Sequence, residues 1–290
     1  MSAGVRVRVP ASTANLGSGF DALGMALGRY DEVVVRPAPA TAVRVVGEGA
    51  GEVALDERHL VLRAMRAAAA KLGSDPGPVE LVCENTIPHA RGLGSSAAAI
   101  VAGIAAAYGL AGRPLDDDAL HLAAEFEGHA DNVAASLLGG LVVAWHDADG
   151  FRAARLEPHP DLRAFAIVPD TRSDTHVTRG LLPERVPHAD AAFAAGRAAL
   201  AVHAVTAAPE LLLPATADRL HQDYRESAYP ATLGLVRDLR ARGVAAAVSG
   251  AGPTVLALCT SDSLPDGLEL GGFTVWPLGI DRAGVVVETM

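Results

Sequence analysis

The period of apolar positions changes several times along the chain. Val5-Arg6-Val7-Arg8-Val9 alternates residue by residue, and Glu32–Arg36 and Val43–Val46 are short β-branched runs; all three predict strands. Leu60–Leu72 takes a helical period and is stopped by Gly73 and the Pro76-Gly77-Pro78 breaker. Val79–Glu84 returns to strand. Ala97–Leu110 is apolar on every side, which predicts a buried helix ended by Gly112 and Pro114. Asp116–Glu127 predicts another helix, with acidic residues in the first turn where the dipole favours them. A short helix capped by Asp131 runs to Leu138, and Gly139-Gly140 leads into the strand Leu141–Trp145.

Asp147-Ala148-Asp149-Gly150 reads as a turn and sets the expected division, residues 1–150 and 151–290, two α+β domains of similar size. The second half continues with strands at Phe151–Leu156 and Ala164–Val168 and helices at Ala189–Ala207 and Ala231–Arg242. Strands at Ala245–Val248, Thr254–Leu258, Phe273–Pro277 and Val285–Glu288 complete it.

Composition narrows the function classes. Half of the 290 residues are hydrophobic and one-fifth charged, enough for a sizeable core. The net charge is −10 and no basic run interleaved with aromatics occurs, so nucleic-acid binding is not expected. Gly92–Gly112 is uncharged, but its glycines and paired serines leave an apolar run of about 14 residues, short of the roughly 20 that span a bilayer. The amino terminus, Met1-Ser2-Ala3-Gly4, lacks a signal-peptide core, so a cytoplasmic protein is expected. Cys83 and Cys259 lie in apolar strand-like runs and are expected to be buried and inert.

Three small-residue segments could carry chemistry. The first is Pro88-His89-Ala90-Arg91-Gly92-Leu93-Gly94-Ser95-Ser96-Ala97-Ala98, a glycine loop opening an alanine-rich helix, with Ser95 or Ser96 suited to the N-cap. Free amides and the positive dipole end would bind an anion. A P-loop would need a lysine here, and the one lysine, Lys71, lies elsewhere. Backbone amides, hydroxyls and a metal must therefore carry the phosphate charge. The second segment, Pro10-Ala11-Ser12-Thr13-Ala14-Asn15-Leu16-Gly17-Ser18-Gly19-Phe20-Asp21, reads as a loop after a strand, in which Asn15 and Asp21 could simply satisfy their own backbone. The third, Ser249-Gly250-Ala251-Gly252-Pro253-Thr254, lies between apolar strands. It lacks the third glycine and the following helix that a dinucleotide fingerprint needs, which excludes a Rossmann domain.

Taken in order, Pro-x-Ser-x-Ala-Asn-Leu-Gly-x-Gly-Phe-Asp, Pro-x3-Gly-Leu-Gly-Ser-Ser-Ala-Ala and Ser-Gly-Ala-Gly-Pro-Thr resemble the GHMP small-molecule kinases. The long first motif, the His129-Ala130-Asp131-Asn132-Val133-Ala134 segment and the length make the chain most similar to the members that act on L-homoserine. The resemblance implies an α+β, two-domain fold. Its amino-terminal domain would be ribosomal-protein S5 domain-2-like and its carboxy-terminal domain ferredoxin-like, with the cleft between them. It also implies ATP-dependent phosphorylation of the L-homoserine hydroxyl, giving O-phospho-L-homoserine and ADP, in threonine biosynthesis. The loop from Pro88 to Ala98 would wrap the ATP phosphates. Ser96, with Ser95 in reserve, and Glu127, with Glu125 in reserve, would hold Mg²⁺. Asn15, Asp21, His129, Asn132, Gly250 and Gly252 match substrate positions. Arg179, in Thr175–Pro183, and Arg225, in Asp218–Arg225, would grip the substrate carboxylate. Asp131 matches a catalytic aspartate of some relatives, but no general base is assigned. A homodimer is an expectation from relatives.

The chain departs from the pattern at Ser18, where proline is usual, and at His59, where many relatives carry an adenine-contacting asparagine. Two other readings stay open at this level: a GHMP kinase with a different small alcohol, and a non-catalytic nucleotide or amino-acid sensor that kept the fold.

Overall fold

The computed structural model describes residues 4–172 and 178–290; Met1, Ser2 and Ala3, and Thr175, His176 and Val177 of the motif that leads to Arg179, lie outside the described residues. A first layer forms from β1 (Val5–Asn15), β2 (Gly19–Pro37), β3 (Ala42–Gly47), β4 (Val79–Asn85), β5 (Leu141–Asp147) and β6 (Gly150–Leu156). The carboxy-terminal strand β11 (Val286–Thr289) returns to its edge. The order is β11-β1-β2-β4-β3, with β5 on β2 and β6 on β5; every pairing is antiparallel except β3 with β4. The alternation of Val5, Val7 and Val9 with Arg6 and Arg8 places the valines in the core and the arginines outside.

Over that face pack α1 (Leu60–Lys71), α2 (Ser95–Leu110), α3 (Asp117–Glu127) and α4 (Asp131–Leu138). Helix α2 is buried almost throughout, which its alanine content permits: small side chains let α1 come close. At Gly103 even one methyl would strike the Val61 carbonyl. The second layer is the antiparallel sheet β10 (Phe273–Leu278), β7 (Arg163–Pro169), β9 (Val255–Cys259) and β8 (Ala245–Val248), in that order. It is joined by α5 (His188–Thr206), α6 (Leu212–Ala215) and α7 (Pro230–Ala241). Phe165, Ile167, Leu233, Val236 and Val255 belong to its own apolar cluster.

Several local expectations are corrected. Pro10–Asp21 is not a loop following a strand. The strand continues through Pro10 to Asn15, and the turn is confined to residues 16–18; Asn15, Leu16 and Gly17 have positive φ. Pro10 is tolerated because the register shifts between it and Ala11, where no ladder N–H is needed. Gly94, not a serine, is the N-cap of α2, at φ +70°, and Ser95 is already helical. Ala130 precedes α4 as its N-cap, so Asp131 is the first helical residue rather than the cap. The turn at 147–150 is a hairpin inside the first sheet, which runs on through β6. Cys83 is buried and its thiol is pushed up to about 12, chiefly by burial, whereas Cys259 ends β9 only half-buried. Among the described residues no helix is long and apolar enough to cross a membrane.

Candidate active site

The three small-residue segments meet. The Ser12 N–H donates to the Leu93 carbonyl (3.1 Å), joining β1 to the glycine loop. Ser249 Oγ donates to the Gly92 carbonyl (2.5 Å) and lies 2.8 Å from Thr13 Oγ1. The Gly250 N–H donates to Ala14 O (3.1 Å), and Asn15 Nδ2 to Gly250 O (2.9 Å). Asn15 Oδ1 accepts the Asp21 N–H (3.0 Å), so Asn15 fixes both its own turn and the third segment. A side chain at Gly92 would collide with the carbonyls of Ser249 and Gly252. This contact needs backbone against backbone.

A cavity of about 1010 Å³ opens beside this junction. Its walls carry Ala90, Gly92, Gly94, Ser95 and Ser96 of the glycine loop, Asn15, Phe20 and Asp21 of the first turn, and Gly250 and Ala251. Glu127, His129, Asp131, Asn132, Arg172, Arg179 and Arg225 close it. A second cavity of about 380 Å³ shares Leu60, Ser95 and Ser96 with the first. Val9, Val33, Val61, Ala98, Ala99 and Ala102 make much of its lining apolar, with Asp31, Arg58, His59, Asn85 and His89 as its polar groups. The two spaces meet at the start of α2. There no side chain caps the first turn, whose N–H groups have no helical acceptor.

The remaining expected positions fall outside both walls. Pro88 is buried, Leu93 and Ala97 are core residues, and Gly252 packs under the Tyr229 ring. Arg91 turns away: its guanidinium donates to the Pro169 carbonyl (2.8 Å) and the Asp170 carbonyl (2.6 Å), tying the glycine loop to the end of β7. Glu125 is engaged by Lys71 (3.4 Å) and His121 (3.5 Å). Glu127 instead accepts from Ser96 Oγ at 2.6 Å on the cavity wall.

Elsewhere on the cavity wall Arg179 forks onto Asp21, with 2.8 and 3.0 Å bonds to its two oxygens. Both side chains stay partly open to solvent. Arg225 is only 2% exposed. Its Nε donates to Thr178 O (3.2 Å) and its Nη1 to His221 Nδ1 (2.9 Å). His221 Nε2 lies 2.7 Å from the Gly17 carbonyl, an acceptor only, so the proton sits on Nε2 and Nδ1 accepts. The Phe20 ring stacks on His221 at 5.2 Å and lies under both guanidinium groups, each 5.7 Å from its centroid. Burial lowers the affinity of His221 for a second proton, and the Arg225 charge adds to this; Asp218 and the Gly17 carbonyl oppose it without reversing it.

Asp131, 2% exposed, accepts from His129 Nδ1 (2.8 Å) and from the Asn132 N–H (2.7 Å). Burial works against a charge on His129, but the hydrogen bond and charge of Asp131 outweigh it and raise its basicity. Asn132 Oδ1 in turn accepts from Ser12 Oγ (3.0 Å). In the smaller cavity burial lowers the pKa of both His59 and His89 and pushes the Asp31 carboxyl up to about 6.

Sequence reasoning missed Phe20 and His221 as site residues, although each lies inside a quoted segment, because a phenylalanine reads as packing and a histidine's role is set by what the fold brings to its nitrogens. It also missed Arg172 and Asp31, which no motif contains. Nothing linear predicts that β7 ends beside the cavity or that β2 floors the smaller one.

Two family profiles match: the GHMP kinases N terminal domain over residues 59–140 and the GHMP kinases C terminal over residues 197–269. A homoserine kinase of Streptomyces coelicolor is 52% identical over 294 residues, covering 99% of this chain and 95% of that one. Another, from Streptomyces avermitilis, is 54% identical over 99% of this chain and 96% of its own length. The crystal structure of homoserine kinase from Cytophaga hutchinsonii superposes with a TM-score of 0.86 at 27% identity, covering 99% of this chain and 98% of that chain. A mevalonate diphosphate decarboxylase from Enterococcus faecalis, 14% identical with a TM-score of 0.66 over 99% of both chains, shares the fold alone. With relatives this similar over nearly its full length, the chain belongs to the GHMP kinases, in the branch of the homoserine kinases.

Proposed function

We propose that this chain transfers the γ-phosphoryl group of ATP to the side-chain hydroxyl of L-homoserine, giving O-phospho-L-homoserine and ADP. The step belongs to threonine biosynthesis, and we assign it to the cytoplasm. One observation carries the substrate reading: one cavity is lined both by an uncapped helix start and by the Asp21–Arg179 ion pair. A zwitterionic amino acid can exchange with such a pair, its ammonium on Asp21 and its carboxylate on Arg179 and Arg225. The hydroxyl then faces the nucleotide side.

The apolar smaller cavity takes the adenine, read by His59 in place of asparagine, and the amides of Gly92–Ser96 take the phosphates. Ser96 and Glu127 suit Mg²⁺: both offer hard oxygen, and an ion that prefers one or two protein oxygens plus phosphate and water needs no larger cage. When bound, that ion would neutralise phosphate charge. The chain's own residues contribute alignment. As the bond from the γ-phosphorus to the bridging oxygen breaks and the one to the homoserine oxygen forms, charge spreads onto the amide donors of the loop. The hydroxyl proton leaves late, onto an oxygen of the phosphoryl group being transferred, and passes from there to solvent. Asp131 Oδ1 takes the bonds of His129 and the Asn132 N–H and holds their positions, and no general base is assigned.

ADP release measured with L-homoserine, mevalonate, galactose and shikimate as acceptors tests the reading. Turnover is expected with L-homoserine alone. Asp21→Asn should raise the KM for homoserine about tenfold or more and leave the KM for ATP within twofold, as loss of one charged contact predicts. Turnover confined to another alcohol, or equal effects on both substrates, would contradict it.

A further inference from the structure

Arg225 is a buried cation to which, among the described residues, no carboxylate is ion-paired; Asp21, the acid nearest in role, is held by Arg179. A buried charge is costly unless something compensates it. Among the described residues it donates to the Thr178 carbonyl and to His221 Nδ1, both neutral. They fix the direction of the guanidinium without an ion pair, and Asp21 and Asp218 act on its charge only from a distance. His221 is itself immobile: it is fully buried, its Nε2–H is anchored on the Gly17 carbonyl and its ring is stacked on Phe20. Asp218, which could have paired with Arg225, instead accepts the N–H groups of Leu220 (2.8 Å), His221 (3.1 Å) and Gln222 (2.8 Å).

We propose that His221 is a positioning residue for the substrate carboxylate: a neutral acceptor that aims Arg225 into the cavity while leaving its positive charge for the ligand. The inference rests on the reading of Arg225 as a carboxylate-binding group. An aspartate at this position would aim the guanidinium equally well but neutralise it; a leucine would do neither. Asparagine presents Oδ1 where His221 presents Nδ1 and stays neutral.

The test compares these replacements in the full chain with L-homoserine and ATP. His221→Asn is expected to keep the KM for homoserine within about threefold, whereas His221→Asp and His221→Leu raise it about tenfold or more, all with the KM for ATP nearly unchanged. A purely structural histidine predicts the same result for Asn and Asp, and that outcome would overturn the proposal. In a double-mutant cycle, His221→Leu should add nothing to Arg225→Met; additive losses would also overturn it. If Arg225→Met alone leaves the KM for homoserine unchanged, the underlying reading of Arg225 fails, a separate result. Should the buried replacements unfold the chain, ¹⁵N NMR of histidine-labelled wild-type protein decides. The Nε2–H tautomer of His221 must persist with homoserine bound, and an imidazolium or an Nδ1–H tautomer would refute the assignment.

Discussion

Asp31 shows how single side chains on the cavity walls trade stability for position. It is 5% exposed, and its Oδ1 accepts from the Thr86 N–H (2.6 Å) and the Ile87 N–H (2.9 Å), which pins the entry to the glycine loop. Burial pushes its pKa up to about 6, and those two bonds and Arg29 only partly restrain the rise. A carboxyl whose folded pKa lies above its unfolded value binds a proton on folding. Stability is therefore fully present below about pH 4 and falls as pH rises through the interval to about 6, by on the order of 2–3 kcal/mol. Asparagine keeps the oxygen that both N–H groups need and cannot ionise. Asp31→Asn is thus expected to stabilise the protein by about 2 kcal/mol at pH 8 and to be neutral near pH 4, measured by urea unfolding at both values. The same difference at the two pH values would assign the effect to packing instead of charge. The position then serves the loop rather than the fold's net stability.

At the level of elements, the start of α2 depends on Gly94. Its left-handed φ of +70° turns the chain from loop to helix, and a methyl group there would run into Ser12 Oγ, the same hydroxyl that donates to Asn132. Gly112, just past the other end of α2, has φ +63° and open space around it. Gly112→Ala should therefore cost only the left-handed penalty, about 1–2 kcal/mol, without changing ATP affinity. Gly94→Ala should cost more and weaken ATP binding as well, measured by thermal unfolding and nucleotide titration. Equal losses would show that the Ser12 contact adds nothing. This contrast also marks what the chain discloses in one dimension. Helix α2 and the glycine loop that opens it were legible because glycine, serine and alanine each state a backbone preference locally. The extension of β1 through Pro10 was not, because small residues without periodicity form a strand only when β2 pairs with them. Arg225 was legible through its motif and His221 was not, since a histidine's role depends on which acceptor and donor the fold brings to its two nitrogens.

The two layers of the molecule are tied by arginines that meet at the end of β7. Arg91 reaches from the glycine loop to the carbonyls of Pro169 and Asp170, and Arg172 reaches back from the second layer to fork onto Glu52, with 2.7 and 2.8 Å bonds. Glu52 lies between β3 and α1, and the Arg172 hydrogen bonds hold its carboxyl below the usual range. Both side chains are about half exposed, so solvent screens the pair and its partners can exchange. Arg172 lines the same cavity as Gly92, Ser95 and Glu127, where the glycine loop has no lysine to meet a triphosphate. A phosphate there competes with Glu52 for the guanidinium. Removing the cation and removing its competitor must then act in opposite directions: Arg172→Gln raises the KM for ATP about fivefold or more, while Glu52→Gln lowers it or leaves it unchanged. A clasp that merely held the layers together would shift both variants the same way. The KM for ATP of the two proteins, measured at saturating homoserine and again at raised ionic strength, separates these cases, because screening weakens the phosphate contact and so narrows the gap between them.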